Sequence, residues 1–240
     1  MNDSALRTVA IIPTYNNAGT IADVIRRTLP MVDGVIVVND GCTDGTAGIL
    51  ASLPVTVVTA PSNEGKGCAL KRGFAAAREI GFTHAVTLDA DGQHFPEDIP
   101  QLLEESRKNP DALIIGSRNL QADNMPGGNT FANKFSNFWF TVDTWRRLPD
   151  TQTGFRVYPL GRIPRIFTRR YEAELALLVF SAWKGLDTIP VKVRVDYPEN
   201  RVSSFHPFKD FTRISLMNVF LLFTAIFYGY PSMLFHRLFK

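Results

Sequence analysis

Cysteine is scarce in this chain, which holds only Cys42 and Cys68 among its 240 residues. Each lies beside a glycine and far from any second cysteine, so the spacing indicates neither a disulfide framework nor a zinc site. We therefore expect a reducing compartment. The N-terminal stretch has only about five apolar residues before Pro13, too few for the core of a signal peptide, so we expect the body of the chain to stay in the cytoplasm.

Net charge is also low. The chain carries 26 Lys and Arg against 23 Asp and Glu, a formal net charge of +3. The basic residues form no stripe that could follow a phosphate backbone, so we expect no nucleic acid partner. Hydrophobic residues make up 45% of the chain, which is ordinary for a globular protein. Its length suits one core of up to ~250 residues, or one domain with a short appendage.

The common glycine-rich phosphate-binding motifs, GxGxxG and GxxxxGK followed by Ser or Thr, are absent from the sequence. This excludes the usual dinucleotide-binding and P-loop signatures. What the first half does contain is a regular alternation of apolar, β-rich runs with helical stretches. Such spacing predicts βαβ units and an α/β fold, with a mostly parallel sheet flanked by helices. The strands are predicted at 9–13, 35–40, 55–59, 84–90 and 112–116, and the helices at 19–30, 44–52, 66–80 and 96–108.

Beyond residue 117 the alternation loosens. Residues 116–130 are rich in Gly, Asn and Asp and predict a mobile loop. Further helices are predicted near 129–147 and 171–185, with a strand at 188–197. Right-handed crossovers bring the carboxyl ends of parallel strands to one edge of the sheet, where ligands bind. We therefore expect the polar residues that follow each strand to meet there.

Two carboxylates, Asp89 and Asp91, follow the fourth predicted strand in the segment VTLDADGQHFPED. A turn helped by Gly92 can aim both of them and the Gln93 amide at one point. Oxygen ligands of this kind suit Mg²⁺ or Mn²⁺, which keep positions open for substrate phosphates. The alternative is an acidic loop before a helix, a role we assign to Glu97 and Asp98. His94 stays open between a group on the ligand side and a loop residue.

Polar residues also follow the first two predicted strands. Thr14, Tyr15 and Asn16 follow the first, and Asp40 ends the second, where a carboxylate can accept hydrogen bonds from a base or a ribose hydroxyl. Lys66 stands near the start of the 66–80 helix. It is a candidate contact for a diphosphate, although a solvated lysine is an equal alternative. Together these residues favour a nucleotide ligand.

The last part of the chain, 203–240, differs in character. Phe205, Phe208 and Phe211 recur every three residues, and 214–235 carries no charge. As a helix this run would reach ~33 Å, near the thickness of a bilayer core. Its polar and helix-breaking interruptions favour a helix in the membrane interface, with a second helix re-entering. A single span and a core helix pair are the alternatives. We place a catalytic-sized domain at 1–202 and a membrane-associating tail at 203–240.

Six segments in order, IIPTYNN, VVNDGCTDGT, NEGKGCALKRGF, LDADGQH, GSRN and DTQTGFR, resemble the GT-A-fold family 2 glycosyltransferases. The resemblance covers about residues 7–205 and is greatest to the dolichol-phosphate mannosyltransferase branch, which glycosylates polyprenyl phosphates. It implies that Asp89, Asp91 and Gln93 hold Mg²⁺ or Mn²⁺ on the diphosphate of a nucleotide-linked sugar. It also implies that Asp40 and the stretch Pro13–Tyr15 bind the nucleoside, GDP- and UDP-linked donors both staying open.

The same resemblance implies residues on the acceptor side. Arg118 would lie by the reacting phosphates, the segment DTQTGFR would border the acceptor, and Lys134 with Ser136 matches a basic residue and serine of the branch. A glutamate of the 171–185 helix, Glu172 or Glu174, is also expected. The resemblance thus implies a metal-dependent glycosyltransferase.

The expected mechanism follows from these roles. Asp91, assisted by Asp89 and Gln93, holds the cation on the leaving group, and Arg118 with Lys134 or Arg156 orients the acceptor for inverting attack. A polyprenyl phosphate is already an anionic nucleophile and needs no base.

A hydroxyl acceptor would need a base, for which Asp150 is the candidate. The phenylalanine-lined tail favours the lipid acceptor and a place on the cytoplasmic face of the membrane. A hydroxyl-directed family 2 enzyme, a nucleotidyltransferase and a non-catalytic membrane adaptor are the alternatives.

Overall fold

The structure, a computed structural model, describes residues 6–118, 127–196 and 207–238. Its centre is one sheet of seven strands. They are β1 (Thr8–Thr14), β2 (Gly34–Asn39), β3 (Thr56–Thr59), β4 (His84–Thr87), β5 (Leu113–Arg118), β6 (Arg156–Pro159) and β7 (Thr188–Val193). Their order across the sheet is β3-β2-β1-β4-β6-β5-β7. β6 is antiparallel to both of its neighbours, whereas every other pairing is parallel.

Helices cover both faces of the sheet. They are α1 (Ile21–Thr28), α2 (Thr46–Leu50), α3 (Lys66–Ile80), α4 (Ile99–Lys108), α5 (Gly127–Thr144), α6 (Glu172–Trp183), α7 (Pro207–Thr224) and α8 (Tyr230–Leu238). A 3₁₀ turn at Leu29–Met31 extends α1, another at Pro96–Asp98 precedes α4, and a π-helical turn at Ala225–Gly229 joins α7 to α8. The predicted fold class, a mostly parallel α/β sheet flanked by helices, is confirmed.

Alternating side chains of β1 build two cores. Val9 and Ile11 pack into the core that contains residues of α3 and α6, whereas Ala10 and Ile12 pack into the core that contains residues of α1 and α4. A strand that is apolar on both faces is expected at the centre of a parallel sheet. β1 therefore fixes the position of the edge at which the polar residues emerge.

All six predicted strands and all predicted helices of the body are present, with shifted ends. β4 ends at Thr87 rather than at residue 90, because the chain turns there through Gly92, which has a φ of 79°. β7 ends at Val193 rather than at 197. β6 was not predicted, since its four residues RVYP end in proline and follow a polar segment without alternation. The predicted mobile loop falls mainly on 119–126, outside the described residues.

The described part of the tail, 207–238, is helical throughout, so the predicted re-entry of a second helix is wrong. Thr212–Leu238 is continuous, 27 residues with a mean hydropathy of 1.5, long and apolar enough by length and composition to cross a membrane. The π-helical turn at Ala225–Gly229 precedes Pro231, so the chain accommodates the proline without reversing. Phe205 and the predicted boundary at 202 lie outside the described residues, and only the helical backbone of Phe208 and Phe211 is described.

The tail helix packs lengthwise on the body. Met217, Leu221 and Ala225 are buried and belong to the same core as α6. The Tyr230 hydroxyl donates to the carbonyl oxygen of Val142 at 2.8 Å, and Ser232 Oγ donates to the carbonyl oxygen of Trp183 at 2.7 Å. The opposite face of the helix is open to solvent. The exposed apolar residues of this face are Leu216, Val219, Phe220, Phe223, Ile226, Phe227, Tyr228, Leu234, Phe235 and Leu238.

Candidate active site

The antiparallel strand β6 brings a second set of residues to the edge where the parallel strands end. Because it runs against them, the residues that precede it, 150–155, lie beside the residues that follow β4. Thr87 Oγ1 at the end of β4 donates to the carbonyl oxygen of Gly154 at 2.6 Å. The turn that carries Asp89 therefore lies beside the segment DTQTGFR. The sequence alone did not establish this proximity.

Lys66, Asp89 and Glu174 form a compact charged cluster at this edge. The Lys66 ammonium lies 2.6 Å from Asp89 Oδ1 and 3.0 Å from Glu174 Oε2. Burial alone would lower the pKa of Lys66, but the two carboxylates outweigh it and raise that pKa, so the lysine is charged. Its side chain is only 14% exposed, which contradicts the solvated-lysine alternative.

The contacts of the acidic side chains show which of them belong to this cluster. Burial alone would raise the pKa of Asp89, but Lys66 and the other nearby cations outweigh it and hold that pKa below its usual range. Glu172 lies apart, since its carboxylate accepts a hydrogen bond from the backbone N–H of Arg170 at 3.2 Å. Of the two glutamates expected on α6, Glu174 is therefore the one at the site.

Asp91 and Gln93 lie on the turn that follows Asp89. Asp91 Oδ1 accepts a hydrogen bond from the backbone N–H of Gln93 at 3.0 Å, and the positive φ of Gly92 permits this turn. Both side chains are partly exposed, and 31% of the Asp89 side chain is exposed beside them.

Two carboxylates and one amide oxygen are hard donors that suit Mg²⁺ or Mn²⁺. The described residues contain no group of three or more His, Cys, Asp or Glu placed to hold a metal ion. The donor types of Asp89, Asp91 and Gln93 therefore fit a divalent cation by their chemistry, while Asp89 Oδ1 is engaged by Lys66 at 2.6 Å in this structure.

Glu97 and Asp98, assigned to the start of a helix, serve the structure there. Glu97 receives two hydrogen bonds of 2.8 Å from Arg27, and Asp98 Oδ1 lies 2.6 Å from Arg194 Nη2. Neither forms a side-chain cap on α4. Both carboxylates are thus committed to arginines and not to the site.

His94 is buried directly behind the turn. Its ring lies 5.1 Å from that of Phe155, and its backbone bridges to Val195. Burial lowers its pKa to about 4, so the imidazole is neutral near pH 7. Among the described residues its Nδ1 has no hydrogen-bond partner. His94 therefore supports the turn from the inside.

Arg118 and Asp150 form a second charged group at this edge. The Arg118 guanidinium donates to both Asp150 oxygens, and Asn133 Nδ2 donates to Asp150 Oδ1 at 2.7 Å. Burial alone would raise the pKa of Asp150, but Arg118 outweighs it and holds that pKa below its usual range. A general base needs a pKa near the working pH and access to the hydroxyl. Asp150, 0% exposed and ionised, is therefore unsuited to the role of base.

Arg156 and Lys134, both expected on the acceptor side, differ in their exposure to solvent. Arg156 is 0% exposed, and its guanidinium donates to the carbonyl oxygens of Glu174 and Thr151, each at 2.8 Å. This burial contradicts a direct contact with an acceptor phosphate. Lys134 is exposed, whereas its neighbour Asn133 points at Asp150 and Ser136 Oγ accepts a hydrogen bond from Thr151. The described contacts thus hold Asn133 and Ser136, and not Lys134, against the site.

The residues expected at the nucleoside follow β1 and β2 as predicted. Asp40 is buried, and its two oxygens accept the backbone N–H groups of Glu64 and Gly65 at 3.0 and 2.8 Å. Its carboxylate thus shapes the entry to α3, and its role at a base or ribose stays a prediction.

The loop after β1 lies beside Asp40, whose backbone N–H donates to the carbonyl oxygen of Thr14 at 3.0 Å. Tyr15 and Asn16 are partly exposed and Pro13 is half-buried, whereas Thr14 is buried. Asn16 takes a φ of 57° and accepts a hydrogen bond from the Thr43 backbone N–H at 2.8 Å. This geometry ties the loop after β1 to the loop after β2.

The chain thus places acidic, amide and guanidinium groups at one edge of a seven-stranded, mostly parallel α/β sheet. Residues 9–161, more than half of the chain, match the glycosyl transferase family 2 domain. The chain therefore belongs to glycosyl transferase family 2. The family and fold expected from the six sequence segments are confirmed.

Curated relatives cover most of the chain. It is 27% identical over 214 residues to a UDP-N-acetylglucosamine–dolichyl-phosphate N-acetylglucosaminyltransferase of Methanococcus voltae, covering 79% of this chain and 85% of that protein. It is 33% identical over 173 residues to a polyprenol monophosphomannose synthase of Mycolicibacterium smegmatis. That match covers 63% of this chain and 61% of the synthase, so the chain corresponds to less than two thirds of the synthase.

A solved structure shares the fold. The glucosyl-3-phosphoglycerate synthase of Mycobacterium tuberculosis, crystallised with Mn²⁺, UDP and glucosyl-3-phosphoglycerate, superimposes with a TM-score of 0.68. The match covers 93% of this chain and 81% of the synthase at 20% sequence identity. At this identity the likeness shows the fold.

Proposed function

We propose that this glycosyltransferase moves a sugar from a nucleoside diphosphate sugar to a polyprenyl phosphate at a membrane surface, with inversion at the anomeric carbon. One observation carries the proposal. The turn Asp89–Gln93, suited to a cation, and the guanidinium of Arg118, suited to an anion, share one edge of the sheet, and the charge of Arg118 acts on Asp89. Moving a sugar from a diphosphate to a second phosphate needs a cation on the leaving diphosphate and a cationic side chain at the attacking phosphate, side by side.

The donor would bind across the ends of β1, β2 and β4. Pro13 to Asn16 and the loop after Asp40 would receive the nucleoside, and Asp89, Asp91 and Gln93 would hold Mg²⁺ or Mn²⁺. Such a cation supplies charge neutralisation for the departing nucleoside diphosphate. The crystallised relative that carries Mn²⁺ and UDP supports a divalent cation and a nucleoside diphosphate as the ligands of this edge.

The acceptor would be a lipid phosphate. The names of two relatives specify dolichyl phosphate and polyprenol monophosphomannose. A phosphate oxygen attacks the anomeric carbon as the bond from that carbon to the diphosphate oxygen breaks on the opposite face, which inverts the centre. No proton has to be removed from the attacking phosphate, consistent with Asp150 being buried and ionised. Arg118, held in place by Asp150, would orient the acceptor phosphate.

The exposed face of the tail would lie in the membrane interface. Phe227 is 82% exposed and Phe223 61%, whereas the opposite face of the same helix is packed along α6. A helix fixed lengthwise against the body presents its apolar side parallel to the bilayer, which favours an in-plane position over a full span. We place the enzyme on the cytoplasmic face, with residues 1–202 as catalytic domain and 203–240 as tail.

The test is transfer by the purified full chain. It is incubated with UDP- and GDP-linked sugars, a short polyprenyl phosphate and Mn²⁺ or Mg²⁺, with a chelator as control. We expect a glycosyl-phosphoryl-polyprenol, loss of the reaction in chelator, and at least about a hundredfold loss in Asp91→Asn. The matched control Glu97→Gln, whose carboxylate faces Arg27, should keep the activity.

Other products would contradict the proposal. Transfer only to hydroxyl acceptors would contradict the lipid phosphate. A nucleotide sugar formed from a sugar phosphate and a nucleoside triphosphate would indicate a nucleotidyltransferase. Donor consumption that persists in chelator would contradict the cation, and no turnover of any donor would indicate an adaptor.

A further inference from the structure

We propose that Lys66 acts as a resident cation on Asp89, that a divalent metal ion displaces it, and that Glu174 retains Lys66 once Asp89 has turned to the metal. This rests on the proposed function in one respect, the placement of a divalent cation on Asp89 and Asp91. It assigns to Lys66 and Glu174 a role in setting how tightly the site binds that cation.

The three side chains share one small space. A Cβ atom built on Gly154 would lie 2.8 Å from Lys66 Nζ, 3.0 Å from Asp89 Oδ2 and 3.1 Å from Glu174 Oε1. The backbone of Gly154 thus closes the cluster on one side, and a larger residue there would collide with all three groups. Within this enclosure Lys66 has two carboxylate partners, Asp89 and Glu174. When it leaves one of them, it can bind the other more strongly.

The link between Lys66 and Glu174 is built into the backbone. A Cβ on Gly67 would lie 2.6 Å from that of Ala173, and the Cys68 backbone N–H donates to the carbonyl oxygen of Arg169 at 3.1 Å. The starts of α3 and α6 are therefore fixed against each other. Asp89 instead projects from the turn after β4. Glu174 is thus the constant partner of Lys66, and Asp89 is the one that can be exchanged.

The solvent exposure of the three side chains indicates which carboxylate a metal ion would meet first. The side chains of Lys66 and Glu174 are 14% and 11% exposed, whereas that of Asp89 is 31% exposed. A metal ion arriving from solvent therefore meets Asp89 before Glu174.

Charge balance supports the same exchange. In the described structure one ammonium faces two carboxylates, an excess of one negative charge. With a divalent ion on Asp89, Lys66 and Glu174 remain as a neutral pair. The excess negative charge of the metal-free cluster attracts a cation, and Glu174 keeps Lys66 from becoming an unpaired buried charge once Asp89 has turned to the metal. Without Glu174, Lys66 would have only Asp89 as a partner and would compete more strongly with the metal.

The experiment measures Mn²⁺ affinity of the full chain without donor, from the electron paramagnetic resonance signal of free Mn²⁺. Lys66→Met should bind Mn²⁺ about tenfold more tightly than the wild type, the order expected for removing a nearby unit charge at a partly exposed site. Lys66→Gln, which keeps a hydrogen-bond donor in the enclosure, should do the same and serves if Lys66→Met does not fold. Lys71→Met, an exposed lysine on the same helix, is the matched control and should leave the affinity unchanged.

A double-mutant cycle separates the retention of Lys66 by Glu174 from the direct effect of the Glu174 charge on the metal. Glu174→Gln should weaken Mn²⁺ binding several-fold in the wild-type background, because Lys66 then stays on Asp89. In the Lys66→Met background the same change should weaken binding less, since it then removes only the charge of Glu174 and no lysine is left to retain. An equal effect in both backgrounds, or wild-type affinity in both Lys66 variants, contradicts the proposal.

A further variant distinguishes this inference from the proposed function. If Asp91→Asn abolishes Mn²⁺ binding while the Lys66 variants bind as the wild type does, only the exchange is wrong. If Asp91→Asn leaves Mn²⁺ binding intact, or if no variant binds Mn²⁺ at all, the placement of the cation is wrong as well.

Discussion

Arg118 at the end of β5 and Asp150 before β6 hold each other through two parallel hydrogen bonds, Nε to Oδ2 at 2.6 Å and Nη2 to Oδ1 at 2.9 Å. The carboxylate is fully buried, and the guanidinium is 14% exposed. A paired arginine of this kind has a fixed orientation. Asp150 is thus a positioning residue for the guanidinium proposed to bind the acceptor phosphate.

Asp150→Asn should reduce stability substantially, because it leaves a largely buried arginine without its charge partner. We expect a loss of about 3 kcal/mol in the free energy of unfolding by urea. The control is Asp111→Asn, which removes an exposed carboxylate from Arg162 and should cost less than about 1 kcal/mol. Equal losses in the two variants would contradict a special role for the buried pair.

The same pair predicts a pH dependence. The folded protein holds the pKa of Asp150 below its usual value, so the stabilisation is complete above about pH 4, the ordinary pKa of an aspartate. It is lost as the pH falls through the lower pKa of the folded state. The stability difference between the wild type and Asp150→Asn should therefore shrink below about pH 4. A constant difference down to the acid transition would contradict the depressed pKa.

Asp143 on α5 predicts the opposite dependence. It is buried, its oxygens have no hydrogen-bond partner among the described residues, and burial raises its pKa to about 7. The folded protein keeps a proton that the unfolded chain releases above about pH 4, so stability falls as the pH rises towards 7.

Asp143→Asn should therefore raise the free energy of unfolding by about 2 kcal/mol at pH 8 and change it little at pH 4. Urea titrations at the two pH values measure this. The control Asp187→Asn, with a side chain 62% exposed, should show no such difference. A variant of Asp143 that is less stable than the wild type at pH 8 would contradict the prediction.

Gly229 sets the distance between the tail and α6. A Cβ there would lie inside contact distance of the Trp183 ring, so Gly229→Ala should push the tail off α6. We expect a loss of about 1–3 kcal/mol in stability, as for other overpacked sites, with a change in tryptophan fluorescence. Gly48→Ala is the control, since no atom lies within 4 Å of its added Cβ. It should be neutral or slightly stabilising, because alanine favours helix.

The exposed face of the tail predicts binding to vesicles. Phe223→Ser combined with Phe227→Ser should weaken flotation with phospholipid vesicles at least about tenfold, because each exposed phenylalanine contributes about 1–2 kcal/mol on burial. Stability in solution should hardly change, since both side chains already face water. Ile80→Ser, an exposed apolar residue of α3, is the control. Unchanged flotation of the double variant would contradict the membrane-facing assignment.

The sequence predicted the strands and helices of the body because their apolar periodicity is strong. Asp89 and Asp91 could be placed at the edge of the sheet by topology alone, since they follow a parallel strand, whereas Arg118 was placed there by the family resemblance. The partners of these residues could not be placed at this edge from the sequence. Gly154 and Asp150 reach the site only because β6 runs antiparallel, and its four residues carry no alternating pattern.

The roles that burial decides were also out of reach. Arg156 and Lys134 are both basic and both lie near the matching segments, yet one is enclosed and the other is exposed. Asp40 has the residue type and position of a nucleoside ligand, and the sequence did not show that its oxygens also accept backbone N–H groups of the loop before α3. Side-chain direction depends on contacts across the sheet that no local pattern records.

Helix α6 begins at the charged cluster and ends beneath the tail. Glu174 lies in its first turn, and Trp183 is its last residue, against Gly229. Nine residues of helix separate the two by about 14 Å. If the tail lies on the membrane as proposed, this rigid helix would set the height of the reacting centre above the lipid headgroups, and so how far a lipid-borne phosphate must rise out of the bilayer to be glycosylated.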